Sequence, residues 1–184
     1  MNIGVTGSLS SGKSTVVKLL AKKNYKVFSA DKIVKSLYRS YSFKRKLKKK
    51  FKIEGKNVLK EVREKLSDKS LKLKFLGNFI QPMVRKKMFK FLKNNKTKNK
   101  ILEIPLLVEN RLMKYFDIII LVSAPKNVRL KRYLQSGGKK FFFDLLDKNQ
   151  ITIKKKVKHC DFIIVNNKTK KYLYRRTNVI MNNI

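Results

Sequence analysis

The amino-acid sequence predicts an α/β fold in which a parallel sheet of five strands carries helices on both faces. Short apolar segments alternate with stretches whose apolar residues have helical spacing, and this alternation favours parallel pairing. The first apolar segment also leads into a turn rich in Gly and Ser that opens a helix. The predicted strands lie at about residues 3–5, 26–28, 101–104, 118–122 and 162–165.

Residues 7–14 read G-S-L-S-S-G-K-S, which fits the phosphate-binding pattern G-x-x-x-x-G-K-[ST] between a strand and a helix. Gly7 and Gly12 allow backbone angles that let successive N–H groups converge on phosphate oxygens at the positive end of the helix. Lys13 is expected to reach the β- and γ-phosphates, and the Ser14 hydroxyl to bind Mg²⁺. The sequence therefore predicts a P-loop NTPase fold that binds ATP and Mg²⁺. The predicted ATP-binding residues of the loop are Gly7, Ser10, Ser11, Gly12, Lys13, Ser14 and Thr15.

The formal net charge of +37 would ordinarily indicate a nucleic-acid partner. Here the cations are spread along the chain. Lys, Asn, Ile, Phe and Tyr, which have codons built from A and T, supply 88 of the 184 residues. We favour base composition as the origin of the charge and expect no nucleic-acid partner, with a polyanion partner as the alternative.

A single cysteine, Cys160, excludes an internal disulfide, and with one histidine it excludes a thiolate zinc site. This composition fits a reducing cytoplasm. No segment has the length and apolar character of a signal peptide or a membrane span. We expect a cytoplasmic protein, monomeric and without a membrane partner.

A length of 184 residues fits a single domain. Lys-rich residues 38–98 have apolar residues at helical spacing, which predicts an insertion of three helices. Further helices are predicted over 126–134, 141–157 and 168–181, and Gly137 and Gly138 lie in a basic turn. The predicted organisation is a core of about 1–31, 99–132 and 151–184, a helical lobe of about 32–98 and a lid of about 133–150.

Carboxylates are scarce, with 11 in the chain, so those in apolar settings stand out. Asp31 follows the second predicted strand and opens a helix, where it either accepts the proton of an attacking hydroxyl or caps the helix. Glu103 either holds Mg²⁺ or pairs with a buried lysine. Glu109 is expected to orient a loop, and Asp117 and Asp161 to cap turns. Among the cations, Arg132 is the best candidate for a phosphate contact, because arginine is rarer than lysine here.

Several segments in the same order resemble the dephospho-CoA kinases, P-loop enzymes that use ATP to phosphorylate the ribose 3′-hydroxyl of dephospho-CoA. The resemblance runs nearly end to end. It rests on residues 3–15, Ala30-Asp31, Pro105-Leu106-Leu107-Val108-Glu109-Asn110, Leu130-Lys131-Arg132, Gln150 and residues 160–166.

The resemblance implies that Asp31 orients and deprotonates the 3′-hydroxyl while Lys13, Ser14 and Arg132 serve the triphosphate and Mg²⁺. It implies that Asn166 lies near the adenine or ribose of ATP. Dephospho-CoA would be bound by the helical lobe of about 32–98 and by Pro105, Leu106 and Glu109, and residues 133–150 would form a mobile lid.

Three positions depart from the family pattern. Gln81 precedes Pro82 where the family usually has His, Ser136 or Gly137 falls where the lid usually has Arg, and Lys168 stands where Gly is frequent. Loss of the lid arginine removes a bidentate phosphate contact, which Lys139 or Lys140 replaces only as a point charge.

We therefore expect an enzyme that phosphorylates dephospho-CoA to coenzyme A, the last step of coenzyme A biosynthesis. Two alternatives stay open at this point. One is another small P-loop kinase, such as a nucleoside monophosphate kinase. The other is a basic nucleic-acid-binding protein with a vestigial loop, which the charge of +37 motivates.

Overall fold

The computed structural model describes residues 1–21, 25–94 and 98–184. Residues 22–24 of the predicted core and 95–97 at the end of the predicted helical lobe lie outside this description. The chain forms two compact units. The first comprises Met1–Ser29 and Asn94–Ile184, and the second comprises Ala30–Lys93.

The first unit contains five strands, β1 (Asn2–Gly7), β2 (Lys26–Ser29), β3 (Lys100–Glu103), β4 (Ile118–Ser123) and β5 (Phe162–Val165). They form one parallel sheet in the order β2-β3-β1-β4-β5. Each predicted strand is present, and the predicted α/β class is confirmed. Because β1 lies between β3 and β4, the loop that follows it emerges at the centre of the sheet edge.

Helices of the first unit cover the sheet. They are α1 (Lys13–Leu20), α6 (Lys126–Gln135), α7 (Lys140–Lys148), α8 (Ile153–Val157) and α9 (Lys170–Asn182). On one face, Ile3 and Val5 of β1 are fully buried in a core with α1 and α9. On the other face, Leu107 and Phe116 lie over Gly4, where an added Cβ would come within 2.7 Å of Leu107 Cδ1. The alternation of the strand side chains thus supplies two cores.

The single helix predicted over 141–157 was wrong, because α7 and α8 are separate helices. Asn149 ends α7, and Thr152 has an extended backbone and accepts a hydrogen bond from the Lys155 N–H as the N-cap of α8. A threonine hydroxyl satisfies an otherwise unpaired N–H at a helix start, and this outweighs continuation of the helix.

Two carboxylates at strand beginnings fix the neighbouring strands. Asp117 Oδ2 accepts from the Asn2 N–H at 2.6 Å, and Asp161 Oδ2 accepts from the Ile119 N–H at 2.7 Å. Asp117 precedes β4 and bonds to the start of β1, and Asp161 precedes β5 and bonds to the start of β4. Both residues were predicted to cap turns, whereas these hydrogen bonds join each of them to a neighbouring strand.

The second unit consists of four helices, α2 (Ala30–Arg39), α3 (Tyr41–Phe51), α4 (Val58–Ser67) and α5 (Leu73–Leu92). Ser40 and Asn57 cap α3 and α4 through side-chain oxygens. The Phe79 ring lies 5.9 Å from that of Phe43 and 5.5 Å from that of Phe51, so aromatic contacts join α3 to α5.

No helix in the described parts of the chain is both long and apolar enough to cross a bilayer.

A buried ion pair holds the loop that follows β3. The Lys156 side chain is fully buried, and its Nζ lies 2.9 Å from Glu109 Oε1 and donates to the Pro105 carbonyl at 3.0 Å. The Pro105 carbonyl also accepts from Thr6 Oγ1 at 3.1 Å, and Glu109 Oε1 accepts from the Ile151 N–H at 3.3 Å. Residues from β1, the loop, and α8 are therefore joined by one polar cluster.

Glu109→Gln is expected to destabilise the protein by about 3 kcal/mol, because it leaves the ammonium of Lys156 buried without its counter-charge. Urea unfolding measures the change. Glu64→Gln is the matched control, since its exposed pair with Lys60 contributes about 0.5 kcal/mol or less. Equal stability of the two variants would contradict the structural role of Glu109.

Candidate active site

The turn between β1 and α1 has the positive φ angles expected from its glycines. Gly7, Ser10 and Gly12 have φ angles of 146°, 57° and 101°. A Cβ at Gly7 would lie 2.0 Å from the Val122 carbonyl oxygen, and one at Gly12 would lie 2.2 Å from Asn166 Nδ2. The backbone angle favours glycine at both positions, and at Gly7 the Val122 carbonyl also leaves no space for a Cβ.

Lys13 begins α1, and its buried Nζ donates to the Ser8 carbonyl at 2.8 Å, so the side chain lies along its own loop. The α1 N-terminus has no side-chain cap, which leaves its positive end facing the loop. Ser11 Oγ is buried and has no hydrogen-bond partner among the described residues. The Lys13 ammonium, the α1 N-terminus and the Ser11 hydroxyl are donors of the kind that binds phosphate oxygens.

An oxygen cluster lies at the adjacent strand ends. Ser14 Oγ donates to Glu103 Oε1 at 2.6 Å, and Ser29 Oγ donates to Glu103 Oε2 at 3.0 Å. Glu103 is 4% exposed. A hydroxyl beside a carboxylate suits a hard cation such as Mg²⁺, which binds oxygen ligands and retains waters and phosphate oxygens. The donor set therefore fits Mg²⁺, and the hydrogen bonds of Glu103 in the described structure come from the hydroxyls of Ser14 and Ser29.

Arg132 and Asn166 adjoin the phosphate-binding loop. Asn166 Nδ2 donates to the Ser11 carbonyl at 2.9 Å, and Arg132 Nη2 donates to the Asn166 backbone carbonyl at 3.2 Å. Arg132 Nη1 is buried, and within the described chain it has no hydrogen-bond partner. A buried guanidinium N–H without a partner is costly, so Arg132 Nη1 is suited to donate a hydrogen bond to an anionic ligand.

Arg129, which is 7% exposed, was not among the site residues predicted from the sequence. Its Nε donates to the Ala124 carbonyl at 3.1 Å, while Nη1 donates to Asp147 Oδ1 at 2.5 Å and lies 3.4 Å from the Leu9 carbonyl oxygen. The available signal was the scarcity of arginine together with its position three residues before Arg132, on the same side of α6.

The remaining predicted site residues are distributed over both units. Pro105 and Glu109 are engaged by Lys156 in the first unit, and Leu106 between them is half-buried. Thr15 is exposed in the first turn of α1. Asp31 belongs to the second unit and is the exposed second residue of α2. It therefore lies inside the helix rather than at the N-cap, the alternative role.

The predicted lid residues lie in and around α7. Phe143 is fully buried, with its ring 5.7 Å from that of Tyr133 and 5.5 Å from the Arg129 guanidinium carbon. Ser136 Oγ donates to the Tyr133 carbonyl, and Lys140 Nζ donates to Asp144 Oδ2 at 2.8 Å. The hydrogen bond from Lys140 lowers the pKa of Asp144. Lys140 is thus engaged by a carboxylate of its own helix.

Burial, together with the neighbouring Asp161 carboxylate, raises the pKa of the Cys160 thiol to about 11. Cys160 Sγ donates to the Lys156 carbonyl at 3.1 Å. A protonated, half-buried thiol is a poor nucleophile, which agrees with a structural role for this residue.

Comparison with known proteins identifies the family. The family model described as dephospho-CoA kinase matches residues 1–171. A dephospho-CoA kinase from Fusobacterium nucleatum subsp. nucleatum is 33% identical over 183 residues, which cover 96% of this chain and 94% of that protein.

Two solved structures extend the likeness to the fold. The crystal structure of TT1252 from Thermus thermophilus has a TM-score of 0.78 and 26% identity, covering 100% of this chain and 97% of the other. Dephospho-CoA kinase from Campylobacter jejuni has a TM-score of 0.60 and 26% identity, with coverage of 99% and 96%. The P-loop kinase fold predicted from the loop is therefore confirmed. With a family model matching residues 1–171 and a close-to-full-length relative, this chain belongs to the dephospho-CoA kinase family.

Proposed function

We propose that this chain transfers the γ-phosphoryl group of ATP to the ribose 3′-hydroxyl of dephospho-CoA, giving coenzyme A and ADP as the last step of coenzyme A biosynthesis. The observation that carries the proposal is a phosphate-binding loop beside the unpartnered Arg132 Nη1, in a chain that the dephospho-CoA kinase family matches over residues 1–171. The loop supports phosphoryl transfer, and the family match supports the acceptor.

Charge stabilisation is the main contribution proposed for the loop. Phosphoryl transfer has a loose transition state with charge on the equatorial oxygens, so positioned donors supply most of the catalysis. Lys13 Nζ exchanges the Ser8 carbonyl for a phosphate oxygen, and Arg132 Nη1 gains an anionic partner. Gly7, Ser10, Ser11, Gly12 and Thr15 complete the proposed ATP site, and Asn166 braces it near the nucleoside.

Ser14 and Glu103 are the residues proposed to hold Mg²⁺. When bound there, Mg²⁺ would neutralise charge on the phosphate oxygens. The 2.6 Å hydrogen bond between Ser14 Oγ and Glu103 keeps the two oxygen ligands together.

Asp31 is the proposed general base. It takes the proton of the 3′-hydroxyl as that oxygen bonds to the γ-phosphorus, and the bond from phosphorus to the bridging β,γ-oxygen breaks to release ADP. The helical unit Ala30–Lys93 is the proposed substrate lobe, and Pro105, Leu106 and Glu109 are the proposed substrate contacts of the loop after β3. Residues 133–150 are the proposed lid, which would exclude water from the reaction.

We also propose that the enzyme is monomeric and cytoplasmic and has no nucleic-acid partner. Purified protein with ATP, Mg²⁺ and dephospho-CoA tests the activity, with coenzyme A measured by mass spectrometry. A panel of nucleoside monophosphates tests the rival kinase class. Turnover of a monophosphate without turnover of dephospho-CoA would overturn the proposed acceptor. Strongly salt-dependent RNA binding without ATP-dependent turnover would favour the nucleic-acid alternative.

Asp31→Asn is expected to bind ATP normally and to lower kcat by about 100-fold or more, because the amide cannot accept the hydroxyl proton. Steady-state kinetics and titration with an ATP analogue measure the two effects. Asp68→Asn, an identical change at an exposed helix end of the same unit, serves as the control and should retain parental rates. Parental turnover by the Asp31 variant would remove the base assignment.

Arg132→Lys is expected to lower kcat by about 10- to 100-fold, because lysine keeps the charge but loses the forked donor. Arg175→Lys, the same change at an exposed position of α9, is the matched control. Rates are measured at saturating ATP and dephospho-CoA. If both variants keep the parental kcat, Arg132 does not contact the transferring phosphate.

A further inference from the structure

Residues distant in sequence bond to the phosphate-binding loop at Leu9. The Leu9 N–H donates to Gln150 Oε1 at 3.3 Å, and the Leu9 carbonyl oxygen accepts from Arg129 Nη1 at 3.4 Å. These partners lie 141 and 120 residues away along the chain. Both polar groups of one loop residue are therefore held by tertiary contacts rather than by the turn itself.

Arg129 is anchored on three sides. Nε donates to the Ala124 carbonyl at the end of β4, Nη1 donates to Asp147 of α7, and the guanidinium carbon lies 5.5 Å from the centre of the Phe143 ring. The side chains of Arg129 and Asp147 are 8% and 18% exposed, so their ion pair is little screened by solvent. The pair fixes the guanidinium where it meets Leu9.

The residue after Leu9 shows why such an anchor matters. Ser10 has a φ of 57°, in the left-handed region that costs a residue with a Cβ about 1 kcal/mol or more. A conformation of this kind persists when surrounding contacts determine it. The bonds at Leu9 restrain the peptide that leads into Ser10, and hence the direction of the loop N–H groups that follow.

We propose that Arg129, held by Asp147, is a positioning residue that clamps Leu9 and thereby sets the phosphate-binding loop for the triphosphate of ATP. Because Asp147 lies on α7, nucleotide affinity becomes coupled to the packing of α7 on α6. The inference rests on the proposed function for its ligand, ATP, but concerns residues outside the loop motif and apart from Arg132.

The contacts at this position favour arginine over lysine. One side chain serves the Ala124 carbonyl through Nε while Nη1 serves Leu9 and Asp147. Lysine has a single nitrogen, so it retains the charge but not the three contacts. Lys126 offers a contrast, because its Nζ lies 3.8 Å from Asp147 Oδ2 and its side chain is 62% exposed. Lys126 and Arg129 thus both pair with Asp147, but the structure gives contacts with Ala124 and Leu9 only for Arg129 among these two residues.

The test compares Arg129→Gln, Asp147→Asn, the double variant and Arg129→Lys in the full-length protein. Affinity for a non-hydrolysable ATP analogue with Mg²⁺ is measured by calorimetry, KM for each substrate by steady-state kinetics, and folding by the thermal midpoint. Lys126→Gln is the matched control, because it removes an equal charge from the same helix and the same carboxylate.

Each single variant is expected to weaken analogue binding and raise KM for ATP by about 10-fold, the effect of losing one charge-assisted hydrogen bond. KM for dephospho-CoA and kcat should stay within about 2-fold, since the acceptor and the transferring group keep their contacts. The double variant should bind the analogue no more weakly than the single variants, because each single substitution already breaks the ion pair between Arg129 and Asp147. Arg129→Lys should be intermediate, and Lys126→Gln parental.

Parental analogue affinity in folded Arg129→Gln or Asp147→Asn would overturn the proposal. So would a lower thermal midpoint with an unchanged KM for ATP, which marks a purely structural role. If Arg129→Gln does not fold, Asp147→Asn and Arg129→Lys decide the question alone. Failure of the parent protein to phosphorylate dephospho-CoA would remove the proposed function, whereas analogue affinity reports on the clamp independently.

Discussion

The close approach of Gly7 to the Val122 carbonyl is the constraint on which the rest of the phosphate-binding end depends. A Cβ at Gly7 would lie 2.0 Å from that oxygen. Glycine at this position therefore allows β1 to pack against β4 up to its carboxyl end. Since β1 occupies the centre of the sheet, the loop leaves between the ends of β3 and β4. Glu103 from β3 and Ala124 beyond β4 thereby come to flank the loop, and through them Ser14 and Arg129 are positioned.

Burial marks several cations that hold the fold together among the many that cover the surface. The chain has 48 lysines and arginines, and in its described parts the buried ones include Lys13, Arg129 and Lys156. Burying a charge is costly unless partners replace water, so each of these side chains is bonded to carbonyl oxygens or to a carboxylate. Lys13 joins the loop to itself, Arg129 joins it to α7, and Lys156 holds the segment after β3.

Much of the fold was predictable because its signals are local. The strands are short apolar runs, the loop motif has fixed spacing, and α1 follows from apolar residues at helical intervals. The break between α7 and α8 was missed, because the Thr152 cap outweighs an apolar pattern that continues through residues 141–157. Within the site, Arg132 was predicted because arginine is scarce in this chain, and the role of Asn166 was predicted from the resemblance. Arg129 was missed, because its rarity as an arginine and its spacing from Arg132 do not reveal its contacts with Leu9 and Asp147.

Residue spacing along the chain is enough to give the α/β class, the phosphate-binding loop and membership of a kinase family. The polar groups that complete the loop could be identified only from the folded chain. Arg129 meets Leu9 across 120 residues, and Asn166 meets Ser11 across 155. These pairs form because the strand order brings the residues together and because buried polar groups are stabilised by hydrogen bonds. Neither effect can be deduced from a local sequence pattern.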